Sequence, residues 1–87
     1  MIIKLSDKAF KDLSYWSKSD PRFLKKIFEL LNSIQKEPFS GLGKPEPLKY
    51  ELKGYWSRRI NEEHRIVYKI ENNEILIISC RYHYSQE

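Results

Sequence analysis

The feature that most constrains this chain is a change of hydrophobic period partway along it. From Ala9 to Ile34 apolar residues recur at spacings of three and four, the repeat of an α-helix, whereas from about Leu52 onward they alternate in twos, the repeat of a strand. Between these halves Gly41, Gly43, Pro45 and Pro47 break any regular pattern over too few residues to form a domain linker. In a chain of 87 residues this order leaves room for one domain of the α+β class: two N-terminal helices packed on one face of a small, mainly antiparallel sheet.

Local signals set the expected boundaries. Ile2, Ile3 and Leu5 read as a short first strand, and Ser6-Asp7 as a helix start with an acidic residue in the first turn. Helix one carries Ala9, Phe10, Leu13 and Trp16 on one stripe and is expected to run to about Ser17. Asp20-Pro21 supplies a second N-cap with proline at the first helical position. Leu24, Ile27, Phe28, Leu31 and Ile34 then form one face of a helix that must stop before Pro38. Three strand-like stretches follow, about 52–60, 64–70 and 74–84, with Asn72-Asn73 as the turn between the last two. Ile66, Tyr68 and Ile70 share one face, as do Leu76, Ile78, Cys80 and Tyr82. If both sets face the helices, the hairpin needs an odd loop of about three residues. Arg65, Arg81 and His83 would then lie together on the opposite, open face.

Composition narrows the setting. Hydrophobic residues make up 40% of the sequence and are spread along it, which excludes a disordered chain. The single cysteine, Cys80, excludes an intramolecular disulfide, and no Cys/His group has zinc-site spacing, so a reducing compartment and no metal are expected. Charge appears too early in Met1-Ile2-Ile3-Lys4-Leu5 for a signal peptide, and the run Ile75 to Ile78 is too short to cross a membrane, so the cytoplasm is the expected location. The net charge is +4, and residues 44–59 carry five basic and two acidic groups, the densest positive segment of the chain. Such a segment suits a polyanionic partner and is equally compatible with a solvated surface.

Four stretches are more specific: Gly41-Leu42-Gly43-Lys44-Pro45-Glu46-Pro47-Leu48-Lys49, Trp56-Ser57-Arg58-Arg59-Ile60, Glu63-His64-Arg65-Ile66-Val67-Tyr68 and Cys80-Arg81-Tyr82-His83-Tyr84. In order and spacing they resemble the successive signature blocks of the YoeB toxin family, within the RelE/ParE superfamily. The resemblance spans nearly the whole chain; the family pattern ends at the His-Tyr pair, and Ser85-Gln86-Glu87 reads as a short extension of the single domain 1–87. It implies a RelE-like β-α-α-β-β-β fold. It also implies the toxin of a type II toxin–antitoxin system, a ribosome-dependent mRNA interferase. This endoribonuclease would cleave mRNA in the A site, inhibit translation, need no metal or other cofactor and be neutralised by a YefM-like antitoxin. Ribosome, mRNA and ribosomal RNA are the implied partners, and a homodimer is left open.

The same resemblance assigns roles that the residues alone leave open. By itself Glu46, between two prolines, reads as an exposed loop glutamate; the resemblance makes it the general base, and a carboxylate ionised at neutral pH can take a proton from a ribose 2′-hydroxyl. His83 by itself is a surface histidine near a chain end; the resemblance makes it the general acid, a role imidazole suits because it titrates near neutral pH. Arg65 could form a salt bridge with Glu62 or Glu63, or by resemblance stabilise the developing phosphorane. Lys44, Lys49, Arg58 and Arg59 are expected to hold neighbouring phosphates, with Arg59 and Lys49 foremost, and Tyr84 to stack on a base. His64 has the opposite strand parity from Arg65 and is expected to be structural or partner-facing. The competing function is a ParE-like inhibitor that binds DNA gyrase without chemistry, which the superfamily fold alone permits.

Overall fold

The computed structural model describes residues 1–82, and its elements run β1 (Ile2–Leu5), α1 (Asp7–Ser19), α2 (Pro21–Lys36), β2 (Glu46–Pro47), a 3₁₀ turn (Tyr50–Leu52), β3 (Trp56–Arg59), β4 (Arg65–Glu71) and β5 (Glu74–Ser79). Each helix begins where a side chain satisfies its otherwise unpaired N–H groups. The Ser6 hydroxyl accepts from the Ala9 N–H at 3.0 Å, and the Asp20 carboxylate accepts from the Arg22 N–H at 3.2 Å. Helix α1 extends two residues past its expected end, because nothing stops it before the extended residue Asp20. Helix α2 ends as Pro38 demands: Glu37 is already extended at φ −142°, ψ 94°.

The helices bury narrower faces than their apolar stripes suggest. In α1 the buried positions are Ala9, Asp12 and Trp16, and in α2 they are Ile27, Leu30, Leu31 and Ile34. Phe10 and Phe28, expected in the core, are 66% and 57% exposed. Both sit one position round the helix from the face that meets the sheet. Asp12 takes a buried place because its carboxylate accepts from Lys8 Nζ at 2.9 Å and from the Cys80 N–H at 2.8 Å. No described helix is long and apolar enough to cross a membrane.

The sheet has the order β1-β5-β4-β3-β2. Its neighbours are antiparallel except β1 and β5, which are parallel with Ile2 opposite Glu74 and Leu5 opposite Ile77. The helices cover one face, and the core lies between, built from Trp16, Ile27, Leu30, Ile34, Ile66, Tyr68, Ile75 and Ile77. Burying each large aliphatic side chain contributes roughly 1.5–3 kcal/mol.

The β4–β5 hairpin corrects the expected register. Its turn holds two residues, with Glu71 opposite Glu74 and both Asn72 and Asn73 at positive φ (52° and 58°). Asparagine tolerates this left-handed conformation, which matches the twist of the flanking strands. Ile70 therefore opposes Ile75, and Tyr68 opposes Ile77, so β5 presents Ile75 and Ile77 to the helices in place of Leu76 and Ile78. The odd residue that the pattern required is present, but it lies in the strand. Val67 opposes Ser79 while Tyr68 opposes Ile77, leaving Ile78 as a bulge that reverses the side-chain alternation. Beyond it Cys80 points inward and joins the core, as expected, and Ser79 turns to the outer face.

Candidate active site

Adjacent residues of a strand face opposite ways, and β3 applies this rule to a pair of arginines. Arg58 opposes Ile66 and faces the helices, whereas Arg59 opposes Arg65 and faces away from them. Ser57 opposes Val67 on one side and Glu46 on the other, and Val67 opposes Ser79. Glu46, Ser57, Arg59, Arg65, Val67 and Ser79 thus share the face that carries no helix. Side chains directly opposite in such a ladder have Cβ atoms about 4.5–5.5 Å apart. The short strand β2 that seats Glu46 had read as irregular chain; two residues give no detectable alternation, and Pro47 is tolerated because β2 is an edge strand.

Of the expected site residues, Glu46, Lys44 and Lys49 are exposed and Arg59 and Arg65 half-buried. Lys44 adopts φ +52° directly after Gly43, whose carbonyl accepts from the Arg59 N–H. An open cleft alongside is lined by Lys26, Gly43, Lys44, Arg59 and Glu62. Lys26 was not anticipated; its only sequence signal is its place on α2 beside the buried Ile27. The Arg65 N–H donates to the Tyr82 carbonyl at 3.0 Å. His83, Tyr84 and the 85–87 extension lie outside the described residues.

Arg58 departs from the expectation of a phosphate contact. It is fully buried, and all of its guanidinium donors are engaged: Nε with the Tyr68 hydroxyl at 3.1 Å, Nη1 with Ser33 Oγ and the Leu42 carbonyl at 2.7 and 3.2 Å, and Nη2 with the Glu37 and Ser40 carbonyls at 2.6 and 2.7 Å. It therefore ties the 37–42 connection to the sheet and has no donor left for RNA. Tyr68 in turn donates to the Pro38 carbonyl at 2.6 Å, and burial raises its phenol above the ordinary range against the opposing pull of Arg58.

Arg81 also departs from its expected place on the open face. Its guanidinium lies 3.5 Å from the centre of the Tyr15 ring on α1 and donates to the Tyr82 hydroxyl at 2.8 Å. The bulge had already broken the alternation from which its position was projected. His64 is structural, as its parity suggested: the ring is buried against Trp16, Phe23 and Tyr82, and Nδ1 accepts from the Tyr82 N–H at 2.7 Å. Burial pushes the Cys80 thiol up to about 12, with the nearby Asp12 carboxylate adding to the effect, so the chain's one cysteine is no nucleophile. Two features had no sequence signal. The hydroxyls of Ser57 and Ser79, on the same face as Glu46, are buried and have no hydrogen-bond partner among the described residues.

Two helices on one side of a mixed sheet, with a carboxylate and two arginines on the bare side, define a small RelE-like α+β toxin. Residues 5–84 match the family described as the YoeB-like toxin of bacterial type II toxin–antitoxin systems, and the chain belongs to that family. It is 52% identical to the toxin YoeB of Escherichia coli K12 over 79 residues, covering 91% of this chain and 94% of that protein. Among solved structures, the YoeB/ParE toxin of Agrobacterium tumefaciens superposes with a TM-score of 0.94 at 42% identity, covering 97% of this chain and all of that one. The Staphylococcus aureus YoeB dimer gives 0.90 at 50% identity, covering 97% and 98%. A heterotetrameric YoeB–YefM complex from the same organism gives 0.89 at 50% identity with the same coverage.

Proposed function

We propose that this toxin is a ribosome-dependent endoribonuclease that cleaves mRNA in the A site of cytoplasmic ribosomes, with Glu46 as base, Arg65 as electrophile and His83 as acid. Glu46 takes the proton of a ribose 2′-hydroxyl, and the 2′-oxygen attacks the adjacent 3′-phosphate. Arg65 offsets the charge of the phosphorane, and the bond to the 5′-oxygen breaks as His83 protonates it. The products are a 2′,3′-cyclic phosphate and a free 5′-hydroxyl. No step in this sequence calls for a metal. Arg59, Lys44 and Lys49 hold neighbouring phosphates and Tyr84 stacks on a base.

The observation that supports this reading most directly is the shared, helix-free face of Glu46, Arg59 and Arg65. A protein this small lacks the surface to align an mRNA alone, so the ribosome supplies the alignment. A YefM-like antitoxin, the partner in the S. aureus complex, would neutralise it by covering or distorting that basic face with an acidic, partly disordered segment. The dimer of the same relative makes a homodimer the proposed resting form.

The test replaces one atom of the substrate. On programmed ribosomes, a message with 2′-deoxyribose at the cleavage position should bind the toxin almost normally and remain uncut, and EDTA should have little effect once ribosome integrity is controlled. Cutting of the deoxy message at the same bond would overturn the mechanism.

A further inference from the structure

Strand β5 ends at Ser79, yet the backbone beyond it is held as firmly as a ladder would hold it. The Cys80 N–H donates to Asp12 Oδ2 at 2.8 Å, and the Cys80 carbonyl accepts from Trp16 Nε1 at 2.9 Å. Asp12 and Trp16 are one helical turn apart on α1, so a single helix face grips both polar groups of one residue. Two residues on, the Tyr82 N–H donates to His64 Nδ1 at 2.7 Å, and the Tyr82 carbonyl accepts from the Arg65 N–H at 3.0 Å. Tyr82 is thereby held in the left-handed region at φ +62°, which bulky residues seldom adopt.

Asp12 and Trp16 act on Cys80, and the Arg65 N–H is backbone, so His64 Nδ1 is the side-chain atom that holds Tyr82 itself. His64 is 8% exposed, its ring is caged by Trp16 and Phe23, and the Asn61 carboxamide accepts from its own N–H at 2.7 Å. Nothing in the proposed chemistry uses this imidazole. The Tyr82 N–H and carbonyl belong to successive planar peptide units, so holding both fixes the backbone conformation at Tyr82. The next residue in the sequence is His83.

We propose that His64 is a positioning residue, whose Nδ1 fixes the backbone of Tyr82, the residue that precedes the general acid in sequence. The assignment rests on the reading of His83 as that acid. It separates two properties of His64: the ring fills the cage, and the nitrogen holds the Tyr82 N–H.

Two substitutions divide these properties. His64→Phe keeps an aromatic ring in the cage and removes the acceptor, whereas His64→Asn gives up the ring but retains an acceptor near Nδ1. In single-turnover cleavage on programmed ribosomes, His64→Phe should melt near the wild-type temperature and lose roughly ten- to a hundredfold in rate, the scale of a misplaced catalytic group. Its half-saturating ribosome concentration should change less than about twofold, because the acceptor affects orientation and not binding. His64→Asn should melt lower yet recover most of the rate. A His64→Phe/His83→Ala double variant should be no slower than His83→Ala, since His64 acts through His83. Wild-type rates for His64→Phe, a folded His64→Asn as slow as His64→Phe, or additive losses in the double variant would each overturn the assignment. Undiminished cleavage by His83→Ala alone would instead remove the general-acid reading, an outcome recognisable without any His64 variant.

Discussion

Arg58 and Arg59 are neighbours in sequence with identical side chains, and the sheet gives them opposite work. Arg58 turns inward, where every donor meets a carbonyl or hydroxyl oxygen. Arg59 turns outward, onto the face that it shares with Glu46 and Arg65. The lesson is that strand parity decides whether a basic residue of a signature block is spent inside the fold or left on its outer face, because charge and identity are the same for both.

The largest effect should come from breaking the inward half of the pair. Arg58→Ala strands several buried acceptors and leaves a cavity, and should cost roughly 3–5 kcal/mol in urea unfolding. Arg58→Lys should recover little, since an ammonium cannot reproduce the planar fork. Arg59→Ala should change stability by less than about 1 kcal/mol while reducing the salt dependence of ribosome association by about one unit of slope. Equal destabilisation by the two alanines would remove the distinction.

Next in size is the loop that backs both arginines. A Cβ added at Gly43 would lie 2.7 Å from Leu30 Cδ2 and 3.0 Å from the Arg59 carbonyl oxygen, at φ +80°. Gly43→Ala should therefore lower stability by about 1–3 kcal/mol and slow cleavage as well, because Lys44 and Arg59 move with the strained loop. A variant that melts normally would show that the loop can yield.

The inner side should also reveal itself through alkaline pH. The unfolded Cys80 thiol ionises from about 9, whereas the folded thiol holds its proton to about 12, so between these values the unfolded state binds fewer protons. Stability is then complete below the lower value and falls as pH rises, by at most about 1.4 kcal/mol per unit. Cys80→Ala should show a shallower decline in urea midpoint over the same range; an identical slope would assign the decline to other groups. The smallest effect belongs to the outer face, where Ser57→Ala and Ser79→Ala remove buried hydroxyls that have no hydrogen-bond partner among the described residues. Each should shift the melting midpoint slightly upward, by less than about 1 kcal/mol in stability.

These contrasts also mark what a reader of the sequence could see. The caps at Ser6 and Asp20, the stop before Pro38 and the layer of helices on strands are local consequences of residue chemistry, and all were legible. The inward places of Ile75 and Ile77 were not, since the alternation of β5 is interrupted by a bulge at Ile78 that only its pairing with β4 defines. Glu46, Arg59 and Arg65 could be named from their signature blocks, but their common face depends on a two-residue strand too short to read. The inward role of Arg58 is not legible in the sequence because its acceptors come from residues 33 to 42 and from Tyr68, a constellation created by the fold.

The parallel seam between β1 and β5 has a consequence in time. Ile2 pairs with Glu74 and Leu5 with Ile77, so the first strand to be synthesised has no neighbour until the last one emerges. Contacts between such distant parts of a chain form late and slow the search for the folded state. Strand β5 lies inside the sheet between β1 and β4, so a nascent chain short of residues 74–79 lacks both the seam and the hairpin. Closure of the sheet is thereby deferred until residues 74–79 have emerged, and β1 finds its place only through the strand that lies farthest from it along the chain.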